Sequence, residues 1–164
     1  MVTYMKKPAA KLTRWLLLAA GLMTLMLAGC QATTRRTTFT KDDGEEQTTM
    51  IFYTKGNADV VDKQVTKLDI DLVKTMGTKN ASTLNDGWRI MQQDAKAHAK
   101  LRGVKATVSR QQNIVHEVIT VDTATVDFAK LAKLDDQVLA GKTDHIGLAN
   151  VTQTLKADGY HEVK

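Results

Sequence analysis

Apolar positions are crowded at the start of the chain and periodic over the rest of it. Trp15 to Ala28 is a run of 14 residues without charge, preceded by Lys6, Lys7, Lys11 and Arg14. Such a run is short of the roughly 20 apolar residues a membrane span needs, and it fits the apolar core of an export signal, roughly 7 to 15. Gln31 to Thr38 shows no apolar period and holds Thr33, Thr34, Thr37, Thr38 and the pair Arg35-Arg36, so it reads as a tether. From Phe39 the pattern turns to strands. Phe39 and its neighbours, an acidic turn at Asp42-Asp43-Gly44, and Thr48 to Thr54 around Met50 and Phe52 read as a hairpin. After a turn through Lys55-Gly56-Asn57, a third segment begins at Val60 and continues through Ile70 and Leu72, which predicts a three-strand antiparallel meander. Its apolar parity shifts between Val65 and Leu68, so a bulge or an exposed half is expected there.

Leu84, Trp88, Met91, Ala95 and Ala99 recur at spacings of three and four, which predicts a long helix over 84–102 with one buried stripe. Asn85 or Asp86 would cap its start, and Gly103 would close it in a left-handed conformation. Val104 to Arg110 and Ile114 to Asp122 then form a second hairpin around Gln111-Gln112-Asn113. In its second strand Val115, Glu117, Ile119 and Val121 take one face, and Ile114, His116, Val118 and Thr120 the other. Phe128, Leu131, Ala132 and Leu134 mark a short helix capped by Thr125 or Asp127. Leu148, Val151 and Leu155 mark a last helix stopped at Gly159, with a terminal edge strand over Tyr160 to Val163. The expected fold class is α+β, with the sheet built from two hairpin or meander units and one long helix and two shorter C-terminal helices packed on one side.

Composition changes the picture at the front of the chain. The 164 residues carry 23 Lys and Arg against 18 Asp and Glu, with one cysteine and one proline. Leu27-Ala28-Gly29-Cys30 follows the apolar run and resembles the lipobox of bacterial lipoproteins, in which a diacylglyceryl group joins the cysteine sulfur and cleavage falls between Gly29 and Cys30. That resemblance implies a signal peptide over 1–29, a lipidated Cys30 and tether over 30–38, and a single domain over 39–164. Its membrane partner would be lipid, held through diacylglyceryl Cys30 at the extracytoplasmic face of the cell membrane. Each buried CH₂ contributes about 0.8 kcal/mol, so two acyl chains anchor durably where one holds marginally. Residues 30–164 keep 19 basic and 18 acidic side chains, a net charge of +1. These are interspersed and form no basic stripe, which excludes nucleic acid as a partner. A lone cysteine excludes an internal disulfide framework and a cysteine-based zinc site.

No catalytic signature stands out. Zinc would need three or four converging ligands, and His98, His116, His145 and His161 include no tight His-x-x-x-His pair, so no metal or other cofactor is expected. Asp94 and His98 are four apart on the long helix and could face the same way as a ligand pair, but that spacing reads as a solvent-facing contact. There is no Gly-x-Ser-x-Gly elbow, and Ser82 and Ser109 lack a sequence context that would supply a base. The remaining site candidates are Glu117, His116, Asp144 and His145. Glu117 is expected to face solvent or to pair with a lysine on the next strand; if it points inward with Val115 and Ile119, it would instead be a partly buried general acid. His116 and Glu117, being adjacent, point to opposite faces and do not act as a pair.

The order of elements carries a resemblance. Tyr53-Thr54-Lys55-Gly56-Asn57, then Gly103-Val104 leading into Glu117 to Asp122, then Val126-Asp127 with Leu131, and finally Leu155 to Tyr160 resemble the YehR-like family of small bacterial lipoproteins. The family implies a lipid-anchored α+β domain of unknown function and supplies no catalytic residue. The expected role is a non-enzymatic binding or interaction module at the outer face of the cell membrane, whose partner is a small ligand or an envelope protein. The rival expectation is a small envelope hydrolase that uses His116, Glu117, Asp144 or His145.

Overall fold

The computed structural model describes residues 33–134 and 145–163, all in one compact unit, Thr33–Lys164. These residues form six strands, β1 (Thr34–Asp42), β2 (Glu46–Lys55), β3 (Val61–Asp71), β4 (Val104–Gln111), β5 (Ile114–Asp122) and β6 (His161–Val163). They also form four helices, α1 (Leu72–Thr75), α2 (Ala81–His98), α3 (Phe128–Leu131) and α4 (Leu148–Ala157). The strands make one antiparallel sheet in the order β4-β5-β3-β2-β1-β6, so the chain is of mixed α/β class. The expected meander is β1–β2–β3, the expected second hairpin is β4–β5, and the pairing of β3 with β5 fuses the two into one sheet.

Strand β1 starts at Thr34, so residues 34–38, read above as tether, belong to the sheet. Thr34, Thr37 and Thr38 are β-branched and favour extended backbone, but the strand's start is exposed on both sides, which leaves no apolar alternation to read. Pairing with β2 runs its full length, from Thr34 opposite Lys55 to Asp42 opposite Gln47. The acidic turn is held by Asp43, whose Oδ1 accepts from the backbone N–H groups of Glu46 at 2.9 Å and Glu45 at 3.1 Å. Those bonds, that of Glu46 foremost, hold its carboxyl below the usual aspartate value.

The parity break in β3 has a different place from the one expected. Tyr53 pairs with Lys63 and Thr54 with Val61, so Asp62 is the extra residue of a bulge, upstream of Val65. Beyond it the pairing with β2 is regular, and Gln64 faces the interior while Val65 takes the other side. Gln64 is 1% exposed, donates from Nε2 to Thr66 Oγ1 at 3.1 Å, and its Oε1 meets no hydrogen-bond donor among the described residues. An unmet buried acceptor costs about 1–3 kcal/mol. Gln64→Met, similar in volume, is therefore expected to gain about 1 kcal/mol in urea unfolding. A loss of that size would show that the amide contributes more than its unmet acceptor costs.

Helix boundaries follow side-chain caps. Asp71 ends β3 and accepts at Oδ1 from Val73 N at 3.0 Å and Lys74 N at 3.4 Å, starting the one-turn α1 where the strand was expected to continue through Leu72. Helix α2 is capped by Asn80, whose Oδ1 accepts from Ser82 N at 2.9 Å and Thr83 N at 3.2 Å, so neither Asn85 nor Asp86 caps it. The apolar stripe begins only at Leu84, which is why periodicity misses the first turn. The helix ends at His98, short of Arg102, and Gly103 adopts φ +77° as expected. Of the two cap candidates for α3 it is Asp127 that accepts from Lys130 N, at 3.1 Å, and this bond holds its carboxyl low. The N-cap of α4 is Gly147; Asp59 of the β2–β3 turn reaches across to accept from Ala149 N at 2.8 Å.

Three clusters make the core. Phe39, Met50, Phe52 and Val61 pack with Ile146 and with Val151 and Leu155 of α4. Val104, Ile119 and Val121 pack with Leu131 of α3, and Val115 with Leu72 of α1 and Leu84 of α2. Trp88 and Met91 extend the α2 stripe into the last of these.

Candidate functional site

Successive strand residues point to opposite faces, so the register assigns each side chain to one of them. Phe39, Met50, Phe52, Gln64, Ile119 and Val121 share the buried face. The second face carries Arg36, Tyr53 and Lys63 in one row and Thr38, Ile51, Val65, Thr120 and Lys105 in the next but one. Among the described residues only Ile51 is buried on this side, at 9% exposure; the rest are half-buried or exposed.

At the end of that face where β1 begins lies a cavity of about 520 Å³. Lys55 from β2, Lys63 from β3 and Lys105 from β4 line it together with Thr34, Tyr53 and Thr120. Lys63 Nζ stands 4.0 Å from the centroid of the Tyr53 ring, a cation–π contact that fixes both side chains. Two carboxylates share the cavity. Asp62 lies 3.7 Å from Lys55 Nζ, and Asp122 Oδ1 accepts from Ala124 N at 3.1 Å. Gly103 shapes the rim, because a Cβ there would stand 2.5 Å from Thr125 Oγ1 and 2.8 Å from Val126 N. Three ammonium groups beside an aromatic ring and two hydroxyls suit an anion such as a phosphate better than an apolar ligand.

Of the site residues singled out from the sequence, none of the described ones, His116, Glu117 and His145, lines this cavity. Glu117 points inward at 7% exposure, with the apolar Leu68 and Val108 as its cross-strand neighbours, which corrects the expectation of a solvent-facing carboxylate. His98 is also buried, at 6% exposure, and its Nδ1 lies 3.0 Å from the carbonyl oxygen of Asp94. The Asp94–His98 pair is therefore not the solvent-facing contact expected. The α2 stripe meets β5 in order: Leu84, Trp88 and Met91 cluster with Val115, and Leu101, just past the helix, with Ile119 and Val121. Ala95, His98 and Glu117 are all buried, so two ionisable side chains lie in the interior.

His116 lies on the second face, away from Glu117, as the alternation requires. Its Nδ1 is 2.6 Å from Asp69 Oδ1, and Ser109 is its cross-strand neighbour on β4. Pairing thus sets an aspartate, a histidine and a serine in one row, which no spacing in the sequence announces. Among the described residues no hydrogen bond links Ser109 to His116, and His116 and Asp69 are half exposed. His145 is exposed in the segment before α4. Asp144, Gly29 and Cys30 lie outside the described residues. Among the described residues no three of His, Cys, Asp and Glu converge as a metal site would need, and no helix is long and apolar enough to cross a membrane. The cavity's own residues escaped sequence reading because Lys55, Lys63 and Lys105 each look like an ordinary solvated strand position; only the alternation of Lys63 and Lys67 with valines hinted at a shared face.

The model of one protein family, described as a protein of unknown function (DUF1307), matches residues 35–161. The NMR structure of the E. coli YehR protein superposes with a TM-score of 0.67 at 20% identity, covering 81% of this chain and 93% of that one. An NMR structure of a protein from Streptococcus pneumoniae TIGR4 superposes with a TM-score of 0.56 at 12% identity, over 99% of this chain and 93% of that one. At such identities the likeness is one of fold. No curated protein matches the chain.

Proposed function

Because the chain belongs to this family of unknown function, with a YehR-like domain over 35–161, its role must be read from its own residues, and we propose a lipid-anchored, non-enzymatic binding module at the outer face of the cell membrane. In this reading the helices cover one face of the sheet and leave the other as the working surface. The observation that carries it is the lysine-lined cavity of about 520 Å³ on that second face, at the end where β1 begins four residues after Cys30. The anchor rests on the basic flank, the apolar run and Leu27-Ala28-Gly29-Cys30.

The test of the anchor is a Cys30→Ser variant. It is expected to accumulate as a larger precursor without acyl label and to leave the membrane fraction's processed pool empty. Unchanged gel mobility and acyl labelling would end the lipoprotein reading. A second reading, an envelope hydrolase, has one observation on its side, the 2.6 Å approach of Asp69 to His116 in register with Ser109. Alanine at Ser109 and His116 separates the two: a binding module keeps its cellular phenotype in both variants, whereas a hydrolase loses it in either.

A further inference from the structure

We propose that the basic end of the second face, Arg36, Lys55, Lys63 and Lys105, docks on the anionic phosphate head groups of the bilayer that carries the chain. This rests on the anchored reading above and names what the cavity holds. The first ground is reach. Thr34 lines the cavity and pairs with Lys55, and from Cys30 to Thr34 the chain spans four residues, about 14 Å at most at roughly 3.5 Å each. An acylated Cys30 therefore keeps the cavity mouth within one to two Debye lengths of the lipid surface, about 8 Å each at physiological ionic strength.

The second ground is the arrangement of charge along the strands. Arg36 is opposite Tyr53 and Tyr53 opposite Lys63, and Lys105 lies beside Thr120. Two acids stand among these cations, Asp62 at 3.7 Å from Lys55 Nζ and Asp122, so the end keeps an excess of positive charge. The far end of the same face carries Asp42, Asp69 and Asp71, beside Asp43 and Glu45 of the β1–β2 turn, with Lys74 as the cation that lines it. The sheet is thus polarised along its strands. An anionic surface attracts the end nearest the anchor and repels the other, so tether and field select one orientation. Lysine suits the role, since its apolar stem lies along the sheet while the ammonium reaches the phosphate layer, and Tyr53 is of the residue type that settles at membrane interfaces.

The experiment uses the full chain, processed and acylated, in phosphatidylcholine vesicles with and without phosphatidylglycerol. Acylation leaves no native thiol, so a cysteine introduced at Asn57, in the turn at the basic end, or at Glu45, at the acidic end, takes a single fluorophore. With a head-group quencher, the Asn57 label should be quenched several-fold more when phosphatidylglycerol is present, and the Glu45 label equally in both vesicles. Each basic residue at the surface is worth about fivefold in the docked-to-free ratio, so Lys55→Gln, Lys63→Gln and Lys105→Gln together should lower that ratio about 100-fold. Lys74→Gln, at the far end, should leave it unchanged. Equal quenching at Asn57 on both vesicles, with the acyl mass on Cys30 verified, overturns the docking and leaves the anchor standing. An unmodified Cys30 overturns both together. Release of the docked state by soluble glycerol phosphate, at concentrations where chloride of equal ionic strength has no effect, assigns the cavity to a free phosphate ligand and overturns the membrane assignment.

Discussion

Phe52→Ala is expected to cost about 3–5 kcal/mol of unfolding free energy, enough to leave a large fraction of the domain unfolded at 37 °C. Phe52 is fully buried at the centre of β2, and its ring meets that of Phe39 edge-on, with centroids 6.0 Å apart and planes at 70°. Around the pair stand Met50, Val61, Ile146, Val151 and Leu155, so one side chain links strands β1 to β3 with α4 and the segment before it. Its removal takes away the transfer free energy of a ring and leaves a void that a paired strand cannot collapse into. For a domain of this size the loss corresponds to a fall in Tm of about 10–25 °C, read by circular dichroism. Phe52→Leu, nearer in volume, should lose under about 2 kcal/mol. Ile90→Ala, at a position 55% exposed, should change stability by no more than about 0.5 kcal/mol. A Phe52→Ala loss below 1 kcal/mol would mean that the cluster is not the core of the fold.

Gly103→Ala should cost about 2–5 kcal/mol for a different reason. The residue sits at φ +77°, where a side chain costs about 1–2 kcal/mol by itself. A Cβ would also stand 2.8 Å from Val126 N and 3.1 Å from Asp122 O. Both are backbone atoms, one at the end of β5 and one in the turn that follows it, and they move only if that connection moves. Thr125 Oγ1, at 2.5 Å, could rotate away, but only by giving up its bond to the Asp122 carbonyl. Gly44→Ala isolates the two contributions, because Gly44 has φ +88° and nothing within 4 Å of its would-be Cβ. It should lose only the conformational part, about 1–2 kcal/mol. Equal losses at the two glycines, measured by urea unfolding, would dismiss the close approach. Because Gly103 and Asp122 both line the cavity, the alanine variant should also weaken docking on phosphatidylglycerol vesicles at temperatures where it remains folded.

Much of the architecture was legible along the chain, and the failures share a cause. Strands β2, β4 and β5 and the stripe of α2 were readable because burying one face writes a period of two or of three to four into neighbouring residues. The start of β1 wrote no period, since Thr34, Arg35 and Arg36 are exposed on both sides and owe their extension to pairing with β2. Asn80 went unread for the same reason: the helix buries nothing before Leu84. The parity break in β3 was visible but displaced, because polar Gln64 and Thr66 occupy inward positions and Val65 an outward one. The Asp94–His98 pair misled because four-residue spacing is shared by exposed and buried faces, and the stripe that continues from Ala95 to His98 decides between them.

The sequence by itself determined whatever depends on residues a few positions apart: most of the strands and helices, that His116 and Glu117 part to opposite faces, and that Gly103 takes a left-handed conformation. The reading of an export signal over 1–29, followed by a lipidated Cys30, is of the same local kind. Only the tertiary structure decided what pairing brings together. Lys55, Lys63 and Lys105 stand around one cavity although 50 residues separate the first from the last, and Asp69 meets His116 across 47. The physical reason is that a strand's alternation specifies which side chains share a face, while the choice of its neighbour and register depends on the core that the distant segments bury together.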